Sequence, residues 1–424
     1  MTHYFVALLV LLTLSGCRLS SKYLLSNQEL SQTVVYTNLA QAVEEADFCY
    51  ILDLRSQRLT ALPDLHKLTK LQRLYLDGNE LTNLPDNIHH CQYLQEIVVN
   101  KNQLTSLPSN LTKLHNLKVL ECRYNNLEAL PKGISNCTQL QRIDLRDNKL
   151  QQLQKEVTTL KQLQQLWVAY NDIKKLPTRL EGWLSLQQLD ISGNPIQQLP
   201  ASISRLRQLE VLHLGYTALN LNQGLPYLET LPRLRKLDLS GMTLDGLTYE
   251  LVNLKALQQL DLTATTMQAL PKVVTNHDRL EELILNETTL LELPATIVSL
   301  QGLKRLYCNK GQLISLPLEI GQLKALEILK IEQNTLTELP ESIGELTHLR
   351  GLHLQNNQLT SLPNSIGLLQ NMVVLELPSN QLTHLPNSIA KLQKLNGLYL
   401  FDNPIEAAQL EEIKAWLPLT DVQF

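Results

Sequence analysis

The sequence predicts an α/β solenoid: short parallel strands on one side, irregular or 3₁₀-type return arms on the other, and a helical cap at each end. Three observations predict it. Hydrophobic residues make up 44% of the 424 positions while aromatics are only 5%, so leucine carries the apolar load. A Leu-x-x-Leu-x-Leu run recurs along most of the chain, as in Leu71-Gln-Arg-Leu74-Tyr-Leu76 and Leu349-Arg-Gly-Leu352-His-Leu354. Three residues after each run a fixed position returns, at Gln57, Asn79, Asn102, Asn125, Asn148, Asn171, Asn194, Thr217, Met242, Thr265, Thr288, Gly311, Asn334, Asn357, Asn380 and Asn403. Nearly every step is 23 residues; the first is 22 and Thr217 to Met242 is 25. A period in this range marks supersecondary units that cannot close a core alone and bury it by stacking.

Composition removes other classes. Charged residues are 18% and the formal net charge is -4, which leaves no basic face for broad nucleic-acid binding. Ample leucine excludes disorder over most of the length. Sixteen Gly and 18 Pro are ordinary counts, and six Cys are too few for a disulfide scaffold.

Each part of the unit has a physical reason. Leu-x-Leu alternates with period two, so one face of a short strand points inward. Asn sits where the chain leaves the strand. Leu-Pro opens the return arm, where Pro fixes φ and has no donor to waste. Ile343-x-x-Leu346-x-x-Leu349 places apolar groups every three residues, which suits 3₁₀ turns better than long helices. These residues resemble leucine-rich repeats, specifically the 23-residue Leu-Pro type found in Ras-suppressor-like and many bacterial members. The resemblance covers about residues 48 to 417. It implies a horseshoe whose parallel sheet lines the concave side, with the Asn amides bonded to main-chain groups of neighbouring units.

The N-terminus has its own signature. Phe5 to Leu14 (FVALLVLLTL) is too short to span a bilayer, which needs about 20 residues, and fits the apolar core of a signal peptide. It ends in Leu14-Ser15-Gly16-Cys17, which resembles the bacterial lipobox. The resemblance implies cleavage after residue 16, lipidation of Cys17, a polar tether over residues 17–35, and attachment to the envelope of a Gram-negative bacterium. The outer membrane is the implied address, with the facing left open.

A cap helix is expected over residues 36–49, with Leu39, Ala42, Val43 and Ala46 on one face, feeding the array at residues 50–403. A C-terminal cap is expected over residues 404–424, with Leu410, Ile413 and Trp416 on one face and Trp416 sealing the last leucine layer. Between residues 215 and 312 the Asn column is broken by Thr, Met and Gly, and a two-residue insertion falls near Asn220 to Pro232. A softer or differently curved segment is expected there.

No cofactor or metal is implied. There is no GxxxxGK[ST], HExxH, CxxC or GxSxG, and the residues after Asn403 are taken up by the cap. His89-His90-Cys91 looks like a ligand cluster, but its period places Cys91 inside and the histidines on the outer arm. Cys49, Cys91, Cys122, Cys137 and Cys308 all occupy apolar template positions and read as buried thiols. The outward strand positions are the candidate working surface. Tyr75, Arg123, Tyr124, Arg146, Trp167, Tyr170, His213 and Tyr216 form the candidate ligand-binding set, because Tyr, Trp and Arg dominate interface hot spots. The expected activity is non-enzymatic recognition of a protein, or a glycan, on the concave face. The partner could lie in the envelope, as peptidoglycan or another lipoprotein, or on a host.

Overall fold

A computed structural model describes residues 24–62, 64–244 and 253–424. The expected signal segment, Cys17 and part of the irregular stretch lie outside the described residues. The chain divides into two compact units, one of residues 1–125 and 131–140, the other of residues 126–130 and 141–424.

In the first unit the strands Val35–Tyr36, Ile51–Asp53, Arg73–Tyr75, Glu96–Val98 and Val119–Glu121 pair in chain order, all parallel. In the second, strands from Arg142–Asp144 to Asp421–Gln423 do the same, each in register with the next. Among the described residues every strand is three residues long except Val35–Tyr36, which has two. The central leucine points inward and its neighbours outward, so Leu166, Leu189 and Leu212 are fully buried while Trp167 and His213 are not. On the return side Pro85, Pro108, Pro200, Pro294, Pro340, Pro363 and Pro386 each precede a 3₁₀ turn with a buried Ile or Leu at its third position.

The Asn ladder explains the period. Asn171 Nδ2 donates to the carbonyls of Leu145 (2.9 Å), Val168 (3.0 Å) and Ala169 (3.1 Å), and its Oδ1 accepts from Leu150 N at 2.9 Å. One buried amide thereby satisfies main-chain groups of two units that the turn would orphan. In the irregular stretch this economy is lost. Thr217, Thr265 and Thr288 each donate one bond, to the carbonyl three residues back. Thr265 and Thr288 lie buried there, as does the apolar Met242. The insertion near Asn220 is absorbed by the helix Leu221–Leu228, which buries Leu221, Leu225 and Leu228 at i, i+4 and i+7.

Both caps differ in detail from expectation. Tyr36 belongs to an edge strand rather than a helix, and its hydroxyl donates to Glu45 at 2.7 Å. The cap helix is the shorter Leu39–Glu44, followed by a 3₁₀ turn, Ala46–Phe48. Part of the stretch expected as tether is folded. Asn27–Leu30 is a helical turn with a Ser26/Glu29 capping box, and Leu25 N donates to Gln72 Oε1 at 3.1 Å. At the far end Ala407–Trp416 is helical, but Ile413 and Leu417 are the buried residues and Trp416 is half-buried, so it is not the seal. The strand Asp421–Gln423 pairs with Gly397–Tyr399 and covers that sheet edge.

Candidate functional site

On the sheet face of the second unit, the third residue of each strand forms a row: Asp144, Trp167, Asp190, His213, Asp238 and Asp261, each paired in register with the next. Asp144 is 2% exposed and holds Arg146 through two bonds, Nε to Oδ1 at 3.0 Å and Nη2 to Oδ2 at 2.7 Å. The bonds fix the guanidinium plane, and Arg146 Cζ lies 5.2 Å from the Trp167 ring centroid. The first unit repeats the device. Asp53 holds Arg55 at 2.8 and 2.5 Å, with Arg55 Cζ 5.4 Å from the Tyr75 centroid.

The later aspartates are used differently. Asp190 Oδ1 accepts from Ser192 N and Oγ at 3.1 and 2.6 Å; Asp238 and Asp261 accept from Ser240 N and Thr263 N at 2.8 and 2.9 Å. His213 Nδ1 lies 3.3 Å from Asp238 Oδ2. That hydrogen bond raises the His213 pKa against the opposing effect of burial, and the charges of Asp190, Asp238 and Asp261 add to it. Burial pushes the Asp238 carboxyl up, but hydrogen bonds from His213 and Ser240 outweigh it and leave it below the usual range. Asp261 is raised by burial.

One column further out, the residue before each ladder position has positive φ. Lys101, Tyr124, Asp147, Tyr170 and Tyr216 lie there with φ between 54° and 57°, as do Gly193 and Gly241 with 62° and 66°. Since L-residues occupy this column in most units, left-handed backbone alone does not call for the two glycines. Their neighbours do. A Cβ on Gly193 would fall 2.5 Å from Tyr170 Cδ1, and one on Gly241 would overlap the Tyr216 ring. Each tyrosine lies against the glycine of the following unit, with Tyr170 54% and Tyr216 48% exposed.

The expected site residues therefore sort by unit. Tyr75, Arg123 and Tyr124 belong to the first. Tyr75 Oη is 3.3 Å from Glu96 Oε2, Tyr124 is exposed, and Arg123 Nε is buried without a hydrogen-bond partner. Arg146, Trp167, Tyr170, His213 and Tyr216 belong to the second, where Arg146 and Trp167 are in direct contact. Sequence reasoning placed Asp53, Asp190, Asp238 and Asp261 on outward strand positions but missed the Arg55–Asp53 pair, the hydrogen bonds of the three later aspartates, and the glycines against which the tyrosines lie. The Asp-x-Arg spacing was the available signal for the first of these.

Elsewhere in the first unit, outer-arm residues His66, Thr69, Lys70, His90, Gln92 and Tyr93 line a shallow pocket, with His66 Nδ1 2.5 Å from Asp64 and Lys70 Nζ 3.2 Å from Asp47. Cys91 is buried behind it, where burial pushes the thiol up to about 12; Cys137 is raised to about 11 for the same reason. Among the described residues no group of three or more His, Cys, Asp or Glu side chains could hold a metal ion, and no helix is long and apolar enough to cross a membrane.

A family model described as a leucine-rich repeat region matches residues 31–172 and 341–415, and a second, Leucine Rich Repeat, matches residues 185–206. The chain belongs to the leucine-rich repeat family. Its fold is that family's solenoid, one typical of protein–protein interaction modules. No curated protein matches the chain. Among solved structures, a leucine-rich repeat protein of Leptospira interrogans is 35% identical over 92% of this chain and 100% of its own, with a TM-score of 0.80. The Toll–Spätzle complex of Drosophila aligns at 20% identity over 88% of this chain and 58% of that one, with a TM-score of 0.66. An internalin of Listeria monocytogenes aligns at 19% over 78% and 87%, with a TM-score of 0.56. The latter two likenesses concern the fold alone.

Proposed function

We propose that this leucine-rich repeat protein is a non-enzymatic recognition module, held in a bacterial envelope by lipid on Cys17, that binds a protein partner on its sheet face. The observation that carries the reading is the strip of the second unit in which Trp167, braced by Arg146 and Asp144, stands with the exposed rings of Tyr170 and Tyr216. Large rings held in place lose little entropy on binding, which is the property of interface anchors. The Toll–Spätzle complex is a case of a solenoid of this fold with a protein ligand. The run Phe5 to Leu14 followed by Leu14-Ser15-Gly16-Cys17 supports the anchor, since one peptide-borne lipid signal with more than one acyl chain suffices for stable attachment.

The test is affinity capture from envelopes with the full chain and with a Trp167→Ala/Tyr170→Ala double variant. The proposal expects specific partners that the double variant fails to retain; equal retention removes the sheet face as the binding surface. Labelling cells with a palmitate analogue, with Cys17→Ala as control, tests the anchor separately.

A further inference from the structure

Two units of this chain show how the sheet face seats a guanidinium. In Asp53-x-Arg55 and Asp144-x-Arg146, the strand aspartate takes both ends of the fork and the aromatic residue of the next strand, Tyr75 or Trp167, lies under the cation. Three later units keep the aspartate at the same strand position but replace the arginine. Ser192 follows Asp190, Ser240 follows Asp238 and Thr263 follows Asp261. These short side chains hydrogen-bond to their own aspartate.

The three are not equivalent. Asp238 is paired with His213, and Lys236 is exposed two residues before it on the same strand. Among the described residues Asp190 and Asp261 have no such bond to a basic side chain, although the charge of His213 acts on both and that of Arg146 on Asp190. Trp167 stands beside Asp190 in register, and Tyr170 and Tyr216 present their rings one column out, kept there by the missing side chains at Gly193 and Gly241. Carboxylates and aromatic rings thus share this face, where the residues of the next strand beside Asp190 and Asp261 are His213 and Ile284 and the chain's own Arg146 lies over Trp167.

We infer that this strip, from Trp167 to Asp261, docks a basic extended segment of a protein partner, with one arginine at Asp190 and another at Asp261. The inference rests on the sheet-face reading above and adds the chemistry of the partner. Charge complementarity selects the occupant. Three aspartates on one row disfavour nucleic acid and anionic lipid, and a guanidinium takes both oxygens of a carboxylate in a fork, as Arg146 does on Asp144. Spacing sharpens it. Asp190 and Asp261 are three strands apart, about 14 Å at roughly 4.8 Å per strand. A segment laid across the strands advances about 3.4 Å per residue, so its arginines stand four apart and point to the same side.

The experiment uses the full chain and a synthetic peptide of Gly and Ser carrying two arginines at i and i+4, compared with a peptide of equal charge whose arginines are adjacent. Titration calorimetry at moderate and high salt measures affinity, for the wild type and for Asp190→Asn, Asp261→Asn and Asp402→Asn. The asparagines keep size and the acceptor for the main-chain bond, so the fold is retained. The spaced peptide is expected to bind more tightly than the adjacent one. Asp190→Asn and Asp261→Asn should each weaken it about tenfold, the scale of a hydrogen bond to a charged group, and Asp402→Asn should not. Equal affinity for the two peptides, indifference to both asparagine variants, or no binding of either peptide overturns the inference. Envelope capture then separates the two proposals. A partner lost with Trp167→Ala/Tyr170→Ala but retained by Asp190→Asn/Asp261→Asn keeps the sheet-face reading and ends the basic-segment one, as does a neutral glycan recovered as that partner. A partner retained by both double variants ends both.

Discussion

At the scale of single residues, the molecule depends on amides that serve several main-chain groups at once. Asn171→Ala leaves Leu150 N unsatisfied, at about 1–3 kcal/mol for the orphaned group, and takes one of two donors from the buried Leu145 and Val168 carbonyls. Urea unfolding should show a loss of about 3 kcal/mol. Thr265→Ala removes a single local bond, and its loss should be nearer 1 kcal/mol. The Asn column was legible because its period is strict and an amide is the side chain that both donates and accepts. The pairing of Tyr170 with Gly193 was not. Nothing in the one-dimensional pattern says that the residue before each Asn is left-handed, or that its side chain leans on the same position of the next unit.

Two histidines give opposite pH signs. The folded-state pKa of His213 is raised, so its bond to Asp238 contributes fully below the unfolded value of about 6.5 and is lost as pH rises through the higher folded value. His277 is buried and lowered by desolvation, so stability falls as pH drops below about 6.5 toward its folded value. Proton NMR should place the His213 midpoint above 6.5. His213→Gln should lower stability most below pH 6.5, flatten its loss above that pH and leave the acid-side slope unchanged; a midpoint at or below 6.5 contradicts the Asp238 contact.

At the scale of elements, the units from Thr217 to Gly311 hold together with less. Thr217, Thr265 and Thr288 tie only to their own unit, and Gly311 has no side chain to offer. A second ladder partly compensates: Asn286 Oδ1 accepts from Asn309 N at 2.8 Å, and Asn309 Oδ1 from Glu332 N at 2.9 Å. Amide hydrogen exchange should therefore be fastest around Thr217 and Thr265, slower from Asn286 onward, and slowest at Asn334 to Asn380. Uniform protection contradicts the link between ladder chemistry and local stability. The two-residue insertion could be counted in the sequence, but the helix that absorbs it could not be read there, because Gly224 and Pro226 within Leu221–Leu228 look like a turn. Burial of three leucines against the neighbouring layers outweighs both propensities. Leu225→Ala should cost about 3 kcal/mol by the same unfolding assay.

At the scale of the whole molecule, the repeat made the architecture legible and the termini less so. Stacking is dictated by leucines that each unit cannot cover. The caps are singular, and their edge strands, Val35–Tyr36 and Asp421–Gln423, carry no periodic signal. The cysteines follow the leucine layers. Burial raises the thiols of Cys49 and Cys91 to about 12, so a thiol-directed reagent at pH 8 should label none of Cys49, Cys91, Cys137 and Cys308 in the native chain and all of them after denaturation.

The central claim is that the sheet face, and not the outer arms, is the working surface. Photo-crosslinking in intact cells tests it most directly, with the crosslinker placed at Tyr170 on the sheet side or at Ser202 on a return arm. The account predicts a discrete crosslinked partner from Tyr170 and none from Ser202. The same partner captured from Ser202, with none from Tyr170, contradicts it.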